Sequence, residues 1–427
     1  MPTVAFHTLG CKVNQYDSQA MLEVFQQAGY EAADFEGKAD VYVINTCTVT
    51  GTGDKKSMQA VRRAMKNNPD AQVVIAGCLA QRDGEKLLST GARLIIGNSR
   101  RGEVVKLLHE AMEKGQAICA VQDILRADYE PLFITRQEEH TRAVLKIQEG
   151  CDRYCTYCII PSVRGGIRSR RPEDIRAEAE GLAKAGFKEL VLTGIHLTSY
   201  GRDLEGKTLL DAVKACDIEG VERIRLGSLE PVIATEDFVR ELAKIGKVCP
   251  QFHLALQSGS DEVLHRMRRR YTAAEFAAAC ELLRRYFPGC ALTTDVICGF
   301  PGETEADFAQ SCAFCEKIAF SRLHVFPYSR RQGTKAADMP GQLTRAVKEE
   351  RTRQLISIGK KTALAYHQSL VGTVQEVLVE EDLSGYTRGY VPCRIAGGEN
   401  VCRMGDTLKV KVICADENGV TGEMIRE

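Results

Sequence analysis

The chain lacks three features that would direct it to a membrane, to secretion or to nucleic acid by bulk charge alone. Its 427 residues carry 57 Lys and Arg against 57 Asp and Glu, so net charge gives no general attraction to phosphate or to a lipid surface. No apolar run reaches the roughly 18 residues of a membrane-spanning helix. The N-terminus, PTVAFHTLG, enters an alternating strand pattern directly instead of a secretory leader. We therefore expect a cytoplasmic protein with no membrane role.

Cysteine is too scarce for a disulfide-held scaffold. The 17 cysteines are about 4% of the chain, well below the level of disulfide-rich secreted domains. In a reducing compartment, cysteines at fixed spacings serve metal binding or catalysis instead of bridges. The grouping of the cysteines therefore carries the functional information.

One group lies in residues 150–160, which read GCDRYCTYCII. Cys151, Cys155 and Cys158 have the spacing CxxxCxxC, with the aromatic Tyr157 inside the last gap. Three thiolates can hold three irons of a cubane cluster, but they complete neither a four-thiolate iron–sulfur site nor a closed all-cysteine zinc site. No second CxxC pair follows at a zinc-ribbon distance. The spacing indicates a cluster with one open iron, and the alternative is a chance grouping in a chain with many cysteines.

A second group follows from the pattern of residues 1–120. Strand-like runs at 4–8, 40–45, 71–76 and 94–97 alternate with helical runs at 14–28, 54–66, 84–90 and 103–114, which predicts a doubly wound parallel sheet. Cys11, Cys47 and Cys78 each follow a predicted strand directly, in HTLGC, INTC and IAGC. The carboxyl ends of parallel strands form one crevice, so we expect these cysteines to converge there. The alternative is three buried structural cysteines.

The rest of the chain divides into a linker, a barrel, a connector and a small β domain. Residues 121–141 predict a linker over the surface, and residues 142–335 contain six strand–helix units, which predict an incomplete parallel (β/α)6 barrel. Residues 336–365 predict a helical connector, and residues 366–427 are rich in strands and turns. Ligands of such a barrel bind at the carboxyl ends of its strands. Candidate ligand contacts at or near those ends are Gly194, Glu230, Gln257 and Asp295.

Five motifs carry a resemblance to a known family. HTLGCKVNQYDS, GCDRYCTYCIIPSVRG, LALQSGSD, DVICGFPGET and HVFPYS together resemble the radical S-adenosylmethionine (SAM) methylthiotransferases, over essentially the whole chain. The KVN after Cys11 is similar to the branch that modifies N6-threonylcarbamoyladenosine in tRNA. The resemblance implies an N-terminal α/β domain, a radical SAM partial barrel and a TRAM-like, OB-like C-terminal β-barrel.

The resemblance also implies the cofactors. Two 4Fe-4S clusters are expected, one held by Cys11, Cys47 and Cys78 and the other by Cys151, Cys155 and Cys158, each with one open iron. SAM is expected at the second cluster, with Tyr157, Gly194, Glu230, Gln257 and Asp295 as cofactor-binding residues. The family often has an asparagine near the position of His196, which argues against a direct role for this histidine. A 5′-deoxyadenosyl radical then removes hydrogen from C2 of the adenine, and a methylthio group built on the other cluster replaces it.

The implied partners are a tRNA substrate, an external one-electron reductant, and iron–sulfur assembly machinery or another sulfur donor. Two other readings stay open. The same chemistry could act on isopentenyl-adenosine in tRNA or on an aspartate of a ribosomal protein, or the chain could be a non-enzymatic RNA-binding protein with structural clusters. Phosphate contacts and solvated faces are both compatible with the basic groups at Arg168, Arg170 and Arg171, at HRMRRR (265–270), at Arg284 and Arg285, and at Arg330 and Arg331.

The last domain gives a mixed signal for RNA binding. From Tyr366 onward it carries ten acidic and six basic residues, whereas an RNA-binding module is expected to be basic. Either a local patch of Arg388, Arg394 and Arg403 with Tyr386 and Tyr390 contacts RNA, or this domain contacts a protein.

Overall fold

The computed structural model describes residues 1–137, 141–397 and 402–425. It contains an N-terminal parallel sheet, a central incomplete barrel and a closed C-terminal β-barrel, which confirms the predicted fold class. None of the helices in these residues combines the length and apolar character that crossing a bilayer requires.

The N-terminal domain is a six-stranded, all-parallel sheet. Its strands are β1 (Thr3–Thr8), β2 (Glu31–Ala33), β3 (Val41–Thr46), β4 (Gln72–Gly77), β5 (Leu94–Ile96) and β6 (Ile118–Cys119). Its helices are α1 (Lys12–Gln27), α2 (Gly51–Asn67), α3 (Cys78–Asp83) and α4 (Val104–Glu113), with 3₁₀ turns at Gly84–Thr90, Arg101–Glu103 and Ile124–Arg126. The sequence pattern did not predict β2 and β6, because strands this short show no clear alternation.

Both faces of this sheet are covered by helices. Along β3, Val41 and Val43 pack into a core on one face, and Tyr42 and Ile44 pack into a core on the other. A strand buried on both sides reads as a continuous apolar run, as VYVI does. The strand order is β2-β1-β3-β4-β5-β6, so the winding reverses between β1 and β3. A ligand crevice is expected at this reversal, beyond the carboxyl ends of the strands.

The central domain is the predicted partial barrel. Its strands are β7 (Arg142–Glu149), β8 (Arg168–Ser169), β9 (Glu189–Gly194), β10 (Arg223–Leu226), β11 (Gln251–His253), β12 (Ala291–Cys298) and β13 (Arg322–Pro327). Its helices are α5 (Ile160–Arg164), α6 (Pro172–Lys184), α7 (Leu209–Ala215), α8 (Glu236–Ala243), α9 (Asp261–Arg266), α10 (Ala273–Tyr286) and α11 (Glu305–Ile318), with 3₁₀ turns at Leu197–Ser199, Pro231–Ile233 and Lys335–Ala337. Six strands run parallel, while β8 is a short antiparallel addition to β7. Isolated bridges join β10 to the β11 region, so the described strands form one curved, open sheet.

The predicted linker has most of its described residues exposed or half-buried, but it is anchored at two points. Leu132 and Ile134 are buried in the same core as the barrel and α1. The Tyr16 hydroxyl donates a hydrogen bond to the Leu132 carbonyl at 2.7 Å. These contacts attach the segment to the barrel and to α1. Residues 138–140, which also fall in the predicted linker, lie outside the described residues.

The C-terminal domain is a closed five-stranded barrel entered through a long helix. Helix α12 (Arg345–Ser369) continues past residue 365, where the connector was predicted to end. The strands are β14 (Val374–Glu381), β15 (Ser384–Thr387), β16 (Pro392–Ala396), β17 (Thr407–Asp416) and β18 (Gly419–Met424), closed in the order β14-β15-β16-β18-β17. Closure removes free strand edges, and the interior is filled by valines, Ile395 and Cys393.

Three residues that were predicted to form an RNA-binding patch on this domain instead face the central barrel. Tyr386 and Tyr390 stack on each other and both lie against the Arg142 guanidinium, at 5.1 and 4.8 Å from their ring centres. The Arg388 guanidinium donates to the Gly246 carbonyl at 2.7 Å. Arg394 and Arg403 remain exposed. Docking between the domains therefore uses three of the five side chains of the candidate RNA patch, and the choice between RNA and protein as the partner of this domain stays open.

Replacing Arg223 by alanine tests this docking. The fully buried Arg223 guanidinium donates to the Glu376 carboxylate at 3.0 Å and to the Tyr386 carbonyl at 3.1 Å. Removing it takes these hydrogen bonds from the domain interface and leaves Glu376 only the more distant Arg388, so we expect a loss of about 1 to 3 kcal/mol in the free energy of unfolding. The measurement is urea-induced unfolding followed by circular dichroism. Arg345→Ala, which removes an exposed arginine paired with Glu349, is the control and should leave the midpoint unchanged. An equal midpoint for both variants would contradict the assigned role of Arg223.

Candidate functional site

Cys11, Cys47 and Cys78 come together at the crevice of the N-terminal sheet. Cys11 directly precedes α1, Cys47 follows β3, and Cys78 is the first residue of α3. Gly10 lies so close to Cys47 that a β-carbon added there would be 3.1 Å from the Cys47 Sγ atom. Burial raises the pKa of Cys11 and of Cys47, and the neighbouring Cys78 raises both further. The three sulfurs therefore share one electrostatic environment, as their positions after three strands predicted.

The loop that carries Cys151, Cys155 and Cys158 is held by backbone contacts. Gly150 has a φ of +73°, and a β-carbon there would lie 1.7 Å from the Gly166 carbonyl oxygen. The Cys151 amide donates to the Gly165 carbonyl at 3.0 Å, and the Cys158 amide donates to the Cys155 carbonyl at 3.0 Å. These contacts fold the chain back on itself, so that the three thiols face the same space.

Burial and neighbouring thiols raise the pKa of two of the three thiols in this loop. Burial raises the pKa of Cys151 to about 11, with Cys155 among the neighbours that raise it further. Burial also raises the pKa of Cys158 to about 12, again with contributions from Cys155 and Cys151. A metal binds the thiolate, so loading this site releases protons.

The two cysteine groups are neighbours. Cys78 packs against Ile159 and Val163, and Ile159 is the residue after Cys158. Helix α5 therefore lies between the two groups and contacts both. This adjacency depends on the docking of the N-terminal domain against the barrel, which no sequence pattern predicted.

One sulfur of each group accepts a hydrogen bond from an arginine. The Arg164 Nε atom lies 3.2 Å from the Cys78 Sγ atom, and an Arg269 terminal nitrogen lies 3.4 Å from the Cys155 Sγ atom. Both guanidiniums are almost completely removed from solvent. A buried cation beside a sulfur favours negative charge there, whether on a thiolate or on a cluster that the thiolate binds.

Arg164 is part of a buried ionic network that joins the two domains. Its guanidinium contacts Glu149 at 2.7 Å and Asp17 of α1 at 3.0 Å, and it also donates to the Asn14 side chain. Lys146 lies 2.5 Å from Asp17. Burial alone would raise the pKa of Asp17, but Arg101, Lys146 and Arg164 outweigh this effect and hold it below its usual value.

The donor set of each cysteine group fits an iron–sulfur cluster better than a single metal ion. Within the described residues, no three His, Cys, Asp or Glu side chains lie close enough together to hold one ion. Cysteine ligands of a cubane bind different irons and are correspondingly further apart. Three sulfurs with a buried guanidinium at one of them suit an anionic cluster with one non-protein ligand position.

Three of the predicted SAM contacts differ in their surroundings. Tyr157 lies in an apolar cluster and makes an edge-to-face contact with Phe300, the ring centres being 6.5 Å apart. Gly194 ends β9 against Gln148, where a β-carbon would lie 2.8 Å from the Gln148 Cβ atom. Gln257 has a φ of +68°, which is rare for a residue with a side chain. Backbone held in this region often marks a functional site, because the surrounding structure must stabilise the strain.

The Glu230 carboxylate is ion-paired with an arginine of the loop that carries Cys151, Cys155 and Cys158. One of its carboxylate oxygens lies 2.9 Å from Arg269, and the other lies 2.9 Å from Arg153 and 3.2 Å from the His196 ring. Burial raises its pKa, but His196, Arg269 and Arg153 prevail and lower it to about 2. Glu230 therefore connects the segment after β10 to the loop of Cys151 through Arg153, and the His196 ring contacts the same carboxylate oxygen as Arg153.

Asp295 lies further from the strand end than predicted. Strand β12 continues to Cys298, so Asp295 is within the strand and its side chain faces the barrel lumen. Its carboxylate lies 3.3 Å from the His253 ring. The roles of Tyr157, Gly194, Glu230, Gln257 and Asp295 in binding a cofactor remain predictions.

Most of the basic clusters are turned inward. Arg170 is ion-paired with Glu178, Arg331 contacts Asp54 at 2.8 Å, and Arg284 donates to the Ile318 carbonyl. Arg168 is buried as well, and its guanidinium contacts two backbone carbonyls. These four guanidiniums contact protein groups, so neither of the two alternatives left open for them, phosphate contact or a solvated face, describes their setting in this structure. Those that stay exposed are Arg171, Arg268, Arg270, Arg285 and Arg330.

Sequence reasoning missed the arginines that contact sulfur. Arg269 was assigned to a basic run, and Arg164 was read only as part of a motif. The available signal was the position of Arg164, which lies six residues after Cys158 at the end of the short helix α5. Its partners Asp17 and Asn14 are distant in sequence, so the contact itself could not be derived.

Two family descriptions match the chain. Residues 3–97 match "Uncharacterized protein family UPF0004" and residues 145–315 match "Radical SAM superfamily". The chain is 43% identical to the threonylcarbamoyladenosine tRNA methylthiotransferase MtaB of Bacillus subtilis, over 100% of this chain and 97% of that protein. It is 38% identical to MtaB of Aquifex aeolicus, over 94% and 98%. It is also 36% identical to the tRNA-2-methylthio-N(6)-dimethylallyladenosine synthase of Moorella thermoacetica, over 98% and 97%.

Among solved structures, the fold is similar to the radical SAM methyltransferase TsrM from Kitasatospora setae. The TM-score is 0.60 at 15% identity, and the match covers 83% of this chain and 85% of that one. At this identity the likeness concerns the fold alone.

Replacing Gly150 by alanine tests the geometry of the cysteine loop. A positive φ costs an alanine about 1–2 kcal/mol, and its β-carbon would collide with the Gly166 carbonyl. We expect the variant to lose the iron bound by Cys151, Cys155 and Cys158, which is measured as iron per chain after anaerobic reconstitution.

Gly181→Ala is the matched control. Gly181 lies in α6 with open space around it, so alanine there should stabilise the helix by about 1 kcal/mol and leave the iron content unchanged. Full iron content in Gly150→Ala would contradict the described loop geometry.

Proposed function

This chain belongs to the radical SAM methylthiotransferase family, and on that premise we propose that it transfers a methylthio group to C2 of N6-threonylcarbamoyladenosine beside the anticodon of tRNA. The observation that carries the proposal is the adjacency of two three-cysteine groups, each with a buried arginine on one sulfur. An electron-transfer protein would have no use for two open iron positions side by side. Relatives named for this substrate share up to 43% identity with the chain over its full length.

The residues have separable tasks in this proposal. Cys151, Cys155 and Cys158 hold the cluster that binds SAM, and Cys11, Cys47 and Cys78 hold the second 4Fe-4S cluster. When bound, these groups supply a 5′-deoxyadenosyl radical at the first cluster and a methylated sulfur at the second. Glu230 and Arg153 fix the first loop to the barrel.

Arg164, buried completely, keeps the charge of the second site compensated while it anchors α5 against α1. Tyr157, Gly194, Gln257 and Asp295 are proposed to line the SAM site, with the left-handed backbone at Gln257 presenting its neighbours to the ligand.

The proposal implies several partners and a location. The substrate is a tRNA, an external one-electron reductant supplies electrons, and iron–sulfur assembly machinery or another sulfur donor restores the sulfur. A tRNA substrate places the reaction in the cytoplasm. The second candidate substrate is isopentenyl-adenosine in tRNA, because a relative named for it is 36% identical over nearly the whole chain.

Mass spectrometry of tRNA nucleosides tests the substrate. A strain that lacks the gene should lose 2-methylthio-N6-threonylcarbamoyladenosine and regain it on complementation. Loss of the methylthio-isopentenyl nucleoside instead would transfer the assignment to the second candidate. An unchanged nucleoside profile, together with zinc in place of iron, would support a non-enzymatic RNA-binding protein.

Single cysteine variants separate the two clusters. Cys151→Ala should abolish formation of 5′-deoxyadenosine from SAM under dithionite, because the open iron that holds SAM is lost with its cluster. Cys47→Ala should retain this cleavage but form no methylthio nucleoside. Cys414→Ala, at an exposed cysteine of the C-terminal barrel, is the control and should behave as wild type. Methylthio product from Cys47→Ala would show that the second cluster is not required.

A further inference from the structure

A cavity lies where the N-terminal domain, the central barrel and the C-terminal barrel meet. Its volume is about 640 Å³, within the range of sites that hold a small ligand. The residues that line it come from α1, β7, β9 and the C-terminal barrel, and they include Lys12, Gln15, Arg142, Val144, Val191 and Tyr390. We call it the Lys12 cavity. Lys12, the first residue of α1, directly follows Cys11 in the chain and so connects the cavity lining to the second cysteine group.

Among the described residues that line this cavity, Lys12 is the positively charged side chain that forms no ion pair. Arg142 is ion-paired with Glu380 at 2.7 Å, and Arg225, which is near enough to influence Lys12, is ion-paired with Glu189 at 2.6 Å. Within the described part of the chain, the Lys12 ammonium makes no hydrogen bond and no ion pair. The other acidic residue of the lining, Glu381, is exposed to solvent.

The electrostatic surroundings of Lys12 favour an anion. Its side chain is accessible to water inside the cavity, yet protein surrounds it on most sides. Arg142 lines the same cavity, and Arg225 is near enough to add to the positive potential at the Lys12 ammonium, while Glu189 opposes them. A carboxylate placed beside the ammonium would offset both the burial and the repulsion.

The structure of the proposed substrate explains why a cation next to Cys11 would be useful. In adenine, C2 and C6 are the two carbon neighbours of N1, so a substituent on N6 lies along the same edge of the base as the C2 that reacts. A base whose C2 faces the sulfurs of Cys11, Cys47 and Cys78 therefore directs its N6 substituent toward residues next to those cysteines. Lys12 occupies that place, on the first turn of α1.

We propose that Lys12 binds the threonyl carboxylate of N6-threonylcarbamoyladenosine and makes the enzyme selective for an anionic N6 substituent. This inference rests on the function proposed above and names a residue that recognises its substrate. An isopentenyl group carries no charge and would leave the ammonium without a partner. The site thus selects by a positive charge in the cavity that only one of the two substrates can match.

A binding experiment tests the proposal without relying on turnover. The probes are two anticodon stem-loop RNAs of identical sequence, one with N6-threonylcarbamoyladenosine and one with unmodified adenosine. The wild-type protein, reconstituted with iron and sulfide, should bind the modified RNA about 10- to 100-fold more tightly, as expected for one charge-assisted contact. Lys12→Met should bring this ratio close to unity, and Lys12→Arg should retain most of it.

Lys56→Met is the matched control. Lys56 is an exposed lysine on α2 of the same domain, so its loss removes one positive charge without touching the cavity. If lysines of this domain act only on the phosphate backbone, both methionine variants will weaken both RNAs equally and leave the ratio unchanged. Such a result for Lys12→Met overturns the proposal, and so does a wild-type ratio of one.

Product analysis distinguishes this inference from the function on which it rests. The KM for modified tRNA should rise in Lys12→Met and stay at the wild-type value in Lys56→Met. If wild-type enzyme forms the methylthio nucleoside but Lys12→Met keeps the wild-type ratio, the role of Lys12 fails alone. If wild-type enzyme forms no methylthio nucleoside on either candidate tRNA, the proposed function fails, whatever the ratio.

Discussion

The site depends on one buried guanidinium. Arg164 donates to the Cys78 sulfur at 3.2 Å and to Glu149 at 2.7 Å, and it also reaches Asp17 and Asn14 on α1. It therefore contacts the N-terminal domain, the first barrel strand and one sulfur of the second cysteine group at once. Because Arg164 ends the helix that follows Cys158, the two cysteine groups cannot move apart without breaking these contacts.

Such a network is a constraint more than a source of stability. Removing two or more charges from water costs several kcal/mol per ion, and ion pairing only partly offsets this cost. Apolar residues of the same volume would hold the domains together at least as well. They would not fix the position of one helix relative to a particular sulfur, and they would not compensate negative charge there. A buried charge is therefore a reasonable choice where two reactive centres must be aligned.

The sequence was most informative where function depends on local order. Three cysteines after three strands, and three more within eight residues, predicted the two groups because the ends of parallel strands share one edge. The sequence was least informative about the contacts that long side chains such as arginine make. Arg168, Arg170 and Arg331 looked like a phosphate-binding surface, yet each reaches a buried partner, two of them carboxylates supplied from elsewhere in the chain. Whether an arginine faces solvent or a carboxylate is decided by tertiary packing, which composition and periodicity do not contain.

In the acidic C-terminal domain, too, the partners of the charged side chains come from another part of the chain. Two of its carboxylates, Glu376 and Glu380, pair with Arg223 and Arg142 at the domain interface. Its stacked tyrosines also contact Arg142, so part of its apparent charge imbalance is compensated by the central barrel. Net charge counted along the sequence therefore describes docking between domains as much as affinity for RNA. Because this docking brings Glu380 and Tyr390 to the wall of the Lys12 cavity, the last domain shapes the site that we propose for the threonyl carboxylate.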